Sequence, residues 1–348
     1  MRVELDNVRP WRHDLGHCLH ATMGVLLGCH GADPLHVLGA AWGFGYRSGD
    51  LRREEYYVPF GVESLLGAVA PHHPVTSRWH RPPDPETAWT QVRDALRDGH
   101  AVAAAVDNFH LPFRPAYRDV HTNHLLTVYG FDDERDEVLL ADPVPPRFQG
   151  AITRAEFAAA RASANPEDHD RDLFFTRNPI DGRWLEVTVG PDMPPWDLDH
   201  VRTVISANVA ALEGDRTLRD GYADDGAELF AGRRGLARYL DAAAARMRTG
   251  GDTEVVDETF VVAGTVLAET GVHADWLAAA GHTFGRPELT EASRQVERVA
   301  HHWSAVRIIV ANARADTAAA ADDLERRSAA LLADQDRALD LLARPVPR

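Results

Sequence analysis

Lysine is absent from the chain: every one of its 37 basic residues is arginine. That excludes a Walker-type phosphate loop, a pyridoxal Schiff base and any lysine general base. Cysteine is scarce, with two residues in 348, so a disulfide scaffold is excluded. No apolar run approaches the roughly 20 residues of a membrane span. The first residues, Met1 to Asp6, lack the charged and apolar regions of a signal peptide. A cytoplasmic protein with reduced thiols and no membrane association is therefore expected. Positive charge is also in deficit: 53 acidic residues leave a formal net charge of −16, which argues against nucleic-acid binding.

What is present is ordinary for a globular protein, with 45% hydrophobic and 26% charged residues. The length suggests two domains. Histidine is abundant at 18. The N-terminal half has mixed periodicity. A helix is expected over 18–28, with Leu19, Met23, Leu26 and Leu27 apolar and Asp14 or Gly16 serving its first turn. An amphipathic helix is expected over 86–98, and a further helix over 154–163. Strands are expected at 101–107, 124–130 and 137–142; the last two flank the polar turn 131–136 and read as an antiparallel hairpin. Residues 174–176 and 184–189 are short strand candidates. From 198 onward the pattern is helical, over 198–213, 226–248, 253–269, 272–280, 288–313 and 315–343. The expected domains are 1–190 and 191–348, joined by the proline-rich 191–195.

Cys18 falls in the first turn of the first expected helix. Orphan N–H groups and the positive end of the helix dipole there favour a thiolate, the nucleophile of covalent acyl transfer. Taken alone, it reads equally as a small buried hydrophobe. The hairpin adds to it. With a turn centred near residue 133, an even-to-even register puts His124 and Asp142 on one face, within reach of each other. The carboxylate could then orient the imidazole, as in a nucleophile–base–acid triad. A shift of one residue would put the two on opposite faces. His121 is the competing base; in an extended segment only one of His121 and His124 can face Cys18, and His124 opens the continuous strand. Asp107 and Asn108 end the preceding strand and could reach the site. Trp42, Phe44 and Tyr46 could line a substrate groove or pack a loop. His13, His17 and His20, with Cys18 or Cys29, match no specific zinc signature, so no metal is expected.

The ordered segments Gly16-His-Cys-Leu-His-Ala-Thr-Met-Gly, Trp42-Gly-Phe-Gly-Tyr, Val106-Asp-Asn-Phe-His-Leu-Pro-Phe-Arg, His121-Thr-Asn-His-Leu-Leu-Thr-Val-Tyr-Gly-Phe and Val138-Leu-Leu-Ala-Asp-Pro resemble the butirosin biosynthesis protein H family over about residues 13–150. The remainder is similar to a helical domain of unknown function that often follows it. That family is similar to papain-like and bacteriocin-leader-type cysteine peptidases. The resemblance implies an α+β, papain-like fold followed by a mostly α-helical domain. It also implies Cys18 as nucleophile, His124 as general base and Asp142 as orienting acid. On the residues themselves, His17, Trp42, Tyr46, Asp107, Asn108 and His121 are the expected substrate-binding positions. The glutamine that papain-like sites place before the cysteine has no counterpart in residues 10–17. The Cys18 N–H can supply one oxyanion donor, and His13, His17 or Asn108 a second.

The implied function is cysteine-dependent, amide-forming acyl transfer in natural-product or antibiotic biosynthesis. An acyl group would move from a carrier-protein thioester to an amine. The partners would be an acyl or peptidyl carrier protein, which brings the phosphopantetheine arm, and an amine-bearing small molecule; the protein itself needs no cofactor. A thioesterase or peptidase with the same triad is the alternative, and a non-catalytic binding protein the second. The negative surface suits a polycationic acceptor. It repels an acidic carrier, for which the arginines at 233, 234, 238, 246 and 248 are the expected docking stripe. The helical domain could serve as lid, docking surface or homodimer interface.

Overall fold

The computed structural model describes residues 1–47, 64–166, 179–214, 229–250 and 254–344. The fold is α+β: an antiparallel sheet in the N-terminal half and long helices in the C-terminal half. The strand expected at 174–176 lies outside the described residues. No described helix is long and apolar enough to cross a membrane.

The chain divides into two compact units. One comprises Met1–Val37 and Pro74–Met193, the other Leu38–His73 and Pro194–Arg348. A single boundary near 190 does not describe this division, because residues 38–73 belong with the helices. The reason is aromatic burial. Trp42 stacks on His273 at 5.3 Å, Phe44 on Trp303 at 6.3 Å, and Tyr46 meets Tyr239 edge-on at 5.1 Å. An aromatic segment of this kind is stable only where other rings bury it, and residues 230–303 supply those rings.

The first unit is built on α1 (Cys18–Cys29), α4 (Pro85–Arg97) and α5 (Arg154–Ala162). Its strands are β1 (Arg2–Glu4), β3 (Val75–His80), β4 (Val102–Asp107), β5 (Asn123–Asp132), β6 (Glu137–Asp142), β7 (Phe148–Thr153) and β8 (Trp184–Val189). The intervening α2 (Pro34–Leu38), β2 (Gly45–Arg47) and α3 (Leu65–Val69) lead into or belong to the second unit. The strand order is β3-β8-β4-β5-β6-β7, with β1 beside the far end of β5. Val106, Leu126, Val128 and Leu140 pack from the sheet against Trp89 and Val92 of α4 and Phe157 of α5. α4 starts where Asp84 caps Thr87 and Pro85 presets the first turn. α5 starts at a capping box of Thr153 and Glu156. α1 is buried along Cys18–Leu27, as an apolar helix without a polar face must be, and packs along β4, β5 and β8.

The second unit carries α6 (Leu198–Glu213), β9 (Leu229–Ala231), α7 (Gly232–Thr249), α8 (Glu254–Thr283), α9 (Pro287–Asn312) and α10 (Thr317–Leu342). β9 pairs with β2. α8 is one helix where two were expected. Gly271 inside it costs about 1 kcal/mol of helix propensity, and the burial of its neighbours Thr270, Val272 and His273 offsets that cost.

The arginine stripe lies on α7. Arg233 pairs with Asp336, Arg246 with Glu258, and Arg248 with Asp322 and Glu325. Arg238 lies over the Phe230 ring. The stripe is thus largely a set of intramolecular pairs, and its field is offset by carboxylates of α8 and α10.

Candidate active site

Cys18 is the first residue of α1, and the cap is His17, not Asp14 or Gly16. The His17 Nδ1 accepts from the Leu19 N–H at 3.3 Å. Gly24 lies so close to Trp11 that a Cβ there would stand 2.1 Å from the indole. This contact seats the segment before Cys18 against the helix, and Thr22 Oγ1 pins α1 to β5 by donating to the Leu125 carbonyl at 3.1 Å.

His124 and Asp142 reach one face of the sheet through a register change. Next to the turn, Asp132 opposes Glu137 and Gly130 opposes Leu139, so even residues face odd ones. Continued, that register would put His124 and Asp142 on opposite faces. A bulge between Val128 and Gly130 absorbs one residue, Tyr129; beyond it Val128 opposes Leu140 and Thr127 opposes Ala141. Even now faces even, and the pair becomes diagonal neighbours. Gly130 permits this: a Cβ there would lie 2.4 Å from the Val3 carbonyl of β1.

His124 Nε2 donates to Asp142 Oδ2 at 2.8 Å, and the ring also hydrogen-bonds the Cys18 thiol. With Nε2 committed, Nδ1 is the nitrogen left for sulfur. Asp142 is fully buried. Its Oδ2 also accepts from Arg114 Nη1 at 3.2 Å, and its Oδ1 accepts from the Val144 N–H at 3.0 Å. Arg114 Nη1 further donates to the Val144 carbonyl at 3.1 Å. Sequence reasoning quoted Arg114 within Val106–Arg114 and gave it no role. Its signal was that it is the single cation of that segment.

Charge and burial set the protonation states. Burial pushes the Cys18 thiol up, but hydrogen bonds from His124 and His17 outweigh it and bring it down to about 5. Burial pushes the His124 ring down, but the Asp142 carboxylate and then Cys18 raise it to about 9. Asp142 is held below the usual carboxylate range: burial opposes this, and His124 and Arg114 prevail. At neutral pH the three groups are thiolate, imidazolium and carboxylate. Cys29 is the opposite case, pushed up to about 11 by burial.

His121 does not compete for the thiol. Its Nδ1 pairs with Asp107 Oδ2 at 2.6 Å, and its ring stacks on Phe109 at 4.0 Å. Asp107 also accepts from Ser163 Oγ at 2.6 Å and from the Phe109 and Thr122 N–H groups. Asn108 gives its amide N–H to Thr122 Oγ1 at 2.8 Å. Asp107, Asn108 and His121 thus form their own buried network beside the start of β5. Donor atoms of Asp107, His110 and His121 lie within 4.8 Å of one another, a set that could hold a metal. His17 hydrogen-bonds Cys18, whereas His13 Nδ1 accepts from Leu15 N–H. His20 is buried and held well below the usual histidine range by desolvation, then by His17 and His13. Trp42 and Tyr46, expected as groove residues, are buried in the other unit, and the rings around them account for their burial.

Residues 17–143 match the family described as Butirosin biosynthesis protein H, N-terminal. This segment is butirosin biosynthesis protein H-like. The match spans both Cys18 and Asp142 and about a third of the chain; the helical remainder lies outside it. A comparison with curated proteins finds none that matches.

Proposed function

We propose that the chain is a cysteine-dependent acyltransferase of natural-product biosynthesis, with Cys18 as nucleophile, His124 as acid and base and Asp142 as orienting carboxylate. The observation that carries this is the hydrogen-bonded line Cys18–His124–Asp142 at the start of a buried helix, with the thiol brought down to about 5 and the ring raised to about 9. The butirosin biosynthesis protein H match supports the biosynthetic setting. A helix-borne cysteine against an antiparallel sheet that bears histidine and aspartate supports a papain-like kinship.

The Cys18 thiolate attacks the carbonyl of a carrier-bound thioester. The Cys18 N–H, in the first turn of α1, is positioned to stabilise the oxyanion, with His17 beside it. As the tetrahedral adduct collapses, the carrier sulfur leaves and takes the proton of the His124 imidazolium. The acyl group now sits on Cys18 and the ring is neutral. An amine attacks the acyl-enzyme, His124 accepts the amine proton, and the amide departs. Sulfur leaves as thiolate, which restores the ion pair. Asp142, clamped by Arg114, keeps His124 oriented through both steps. The excess of acidic residues favours a cationic amine acceptor.

The test is intact-protein mass spectrometry after incubation with an acyl-carrier thioester. An acyl adduct on Cys18 that forms in the native chain, is lost in Cys18→Ala, and discharges faster when an amine is added supports transfer. Discharge at the same rate with and without amines would make the protein a thioesterase. No adduct from any thioester would remove the acyltransferase.

A further inference from the structure

α4 and α5 line a cavity of about 330 Å3 in the first unit. Pro85, Ala88, Trp89 and Phe157 form its apolar wall, and Arg161 and Gly182 its polar end. None of these belongs to the Cys18–His124–Asp142 line.

Arg161 is unusual in this chain. It is only 5% exposed, yet among the described residues no carboxylate pairs with it. Acidic residues outnumber basic ones by 53 to 37, so a partner was readily available. The one hydrogen bond of its guanidinium to the described residues is from Nη2 to the Gly182 carbonyl. Its Cζ lies 5.4 Å from the Phe157 ring centroid, and its Nε is buried with no partner among the described residues. Gly182 allows the approach: it has φ +60, and an added Cβ would stand 3.1 Å from Ala88. Burial alone acts on the guanidinium, lowering it to about 10, so it remains a cation at neutral pH.

Trp89 lines the same cavity; its Nε1 is buried, with no hydrogen-bond partner among the described residues. At the mouth, Arg154 places its Cζ 5.8 Å from the Trp89 ring. Glu86 is the one carboxylate among the described lining residues, and it is exposed at the rim. The cavity therefore offers a buried positive charge and apolar walls, with no buried carboxylate among the described lining residues. Buried cations and donors left unsatisfied are costly, and a guanidinium fork matches a carboxylate.

We propose that the α4–α5 cavity is a binding site for a small organic carboxylate with an apolar body, its carboxylate on Arg161 and its body against Trp89, Phe157 and Pro85. Arg161 and Arg154, offset by Glu86, leave one net positive charge on the lining, which calls for a monoanion. The apolar wall calls for an aromatic or short acyl acid in preference to an inorganic anion.

The test is thermal unfolding and calorimetry with benzoate, acetate, benzyl alcohol and inorganic phosphate as probes. Benzoate should raise the unfolding midpoint by a few degrees near saturation. Acetate should bind more weakly, and benzyl alcohol, which lacks the charge, should give no shift. Binding should persist in Cys18→Ala, which separates this cavity from the thiol. Arg161→Met should weaken benzoate at least about tenfold. Without ligand, Arg161→Met should be at least as stable as the native chain, because it removes an unpaired buried charge. A structural arginine would behave oppositely, with the midpoint falling in the unliganded variant. Benzoate binding that survives Arg161→Met, or is lost in Cys18→Ala, would overturn the assignment. So would equal shifts from phosphate and benzoate, or no shift from any probe.

Discussion

The two cysteines make one chain its own control. Cys18 is lowered to about 5 by hydrogen bonds that outweigh burial, and Cys29 is raised to about 11 by burial. At pH 7 the first is almost wholly thiolate, whereas the second is ionised to roughly one part in 10⁴. Nucleophilicity falls with acidity, with a Brønsted slope of about 0.4–0.5, which costs Cys18 roughly 500-fold in intrinsic reactivity. The product of the two effects is an alkylation preference for Cys18 of roughly 20-fold at pH 7, rising to about 200-fold at pH 6 and shrinking to about twofold at pH 8. The assay is iodoacetamide labelling at a series of pH values, with each site quantified by peptide mass spectrometry. Cys18 should label at a nearly constant rate from pH 6 to 8. Below about 5 the sulfur protonates and the rate falls; above about 9 the ring loses its proton and the ion pair is lost. Acyl transfer should follow the same window. In His124→Ala the main cause of the lowered thiol is gone, and labelling of Cys18 at pH 6 should drop by about tenfold or more. The reasoning is refuted if the Cys18 rate climbs tenfold per pH unit between 6 and 8, in parallel with Cys29, because sulfur would then be an ordinary thiol.

Two further outcomes follow from the packing. Gly130→Ala puts a methyl 2.4 Å from the Val3 carbonyl and 2.8 Å from Leu139 Cδ1, so β1 or the bulge must move; a loss of about 1–3 kcal/mol is expected in urea unfolding, and Cys18 labelling at pH 6 should slow if the bulge is lost. In the helical unit, Asp334 accepts from Gln295 Nε2 at 2.8 Å and His302 Nε2 at 2.7 Å and pairs with Arg337. Burial opposes its ionisation but those partners bring it down to about 2. A carboxyl lowered on folding stabilises fully above its unfolded value near 4, and that contribution is lost as pH falls toward 2. Asp334→Asn should therefore cost about 1–2 kcal/mol at pH 6 and progressively less below pH 4, read by thermal unfolding across that range.

Much of the site was legible in order along the chain. The helix at Cys18 follows from apolar residues at 19, 23, 26 and 27, and the β5–β6 hairpin from two apolar runs around a polar turn. Both are signals within a dozen residues, where periodicity and turn chemistry decide the outcome. The expected pairing of even with even between His124 and Asp142 is present, but its cause is not the turn, which by itself sets the other parity. Trp42 and Tyr46 are buried among other rings, a placement the sequence left open because an aromatic cluster reads alike whether it lines a groove or fills a core.

Residue chemistry and local pattern therefore determined, unaided, that the chain lacks lysine chemistry, that a thiol opens an apolar helix, and that a histidine and an aspartate flank a hairpin. Tertiary structure alone decided which histidine meets sulfur. That choice rests on the Tyr129 bulge, on Gly130 yielding space to β1, and on Asp107 holding His121 aside. It likewise decided that Arg114 clamps Asp142, and that Arg161 is buried without an acid among the described residues. Strand register, burial and ion pairing depend on contacts between segments far apart in sequence, whose energies no local window contains.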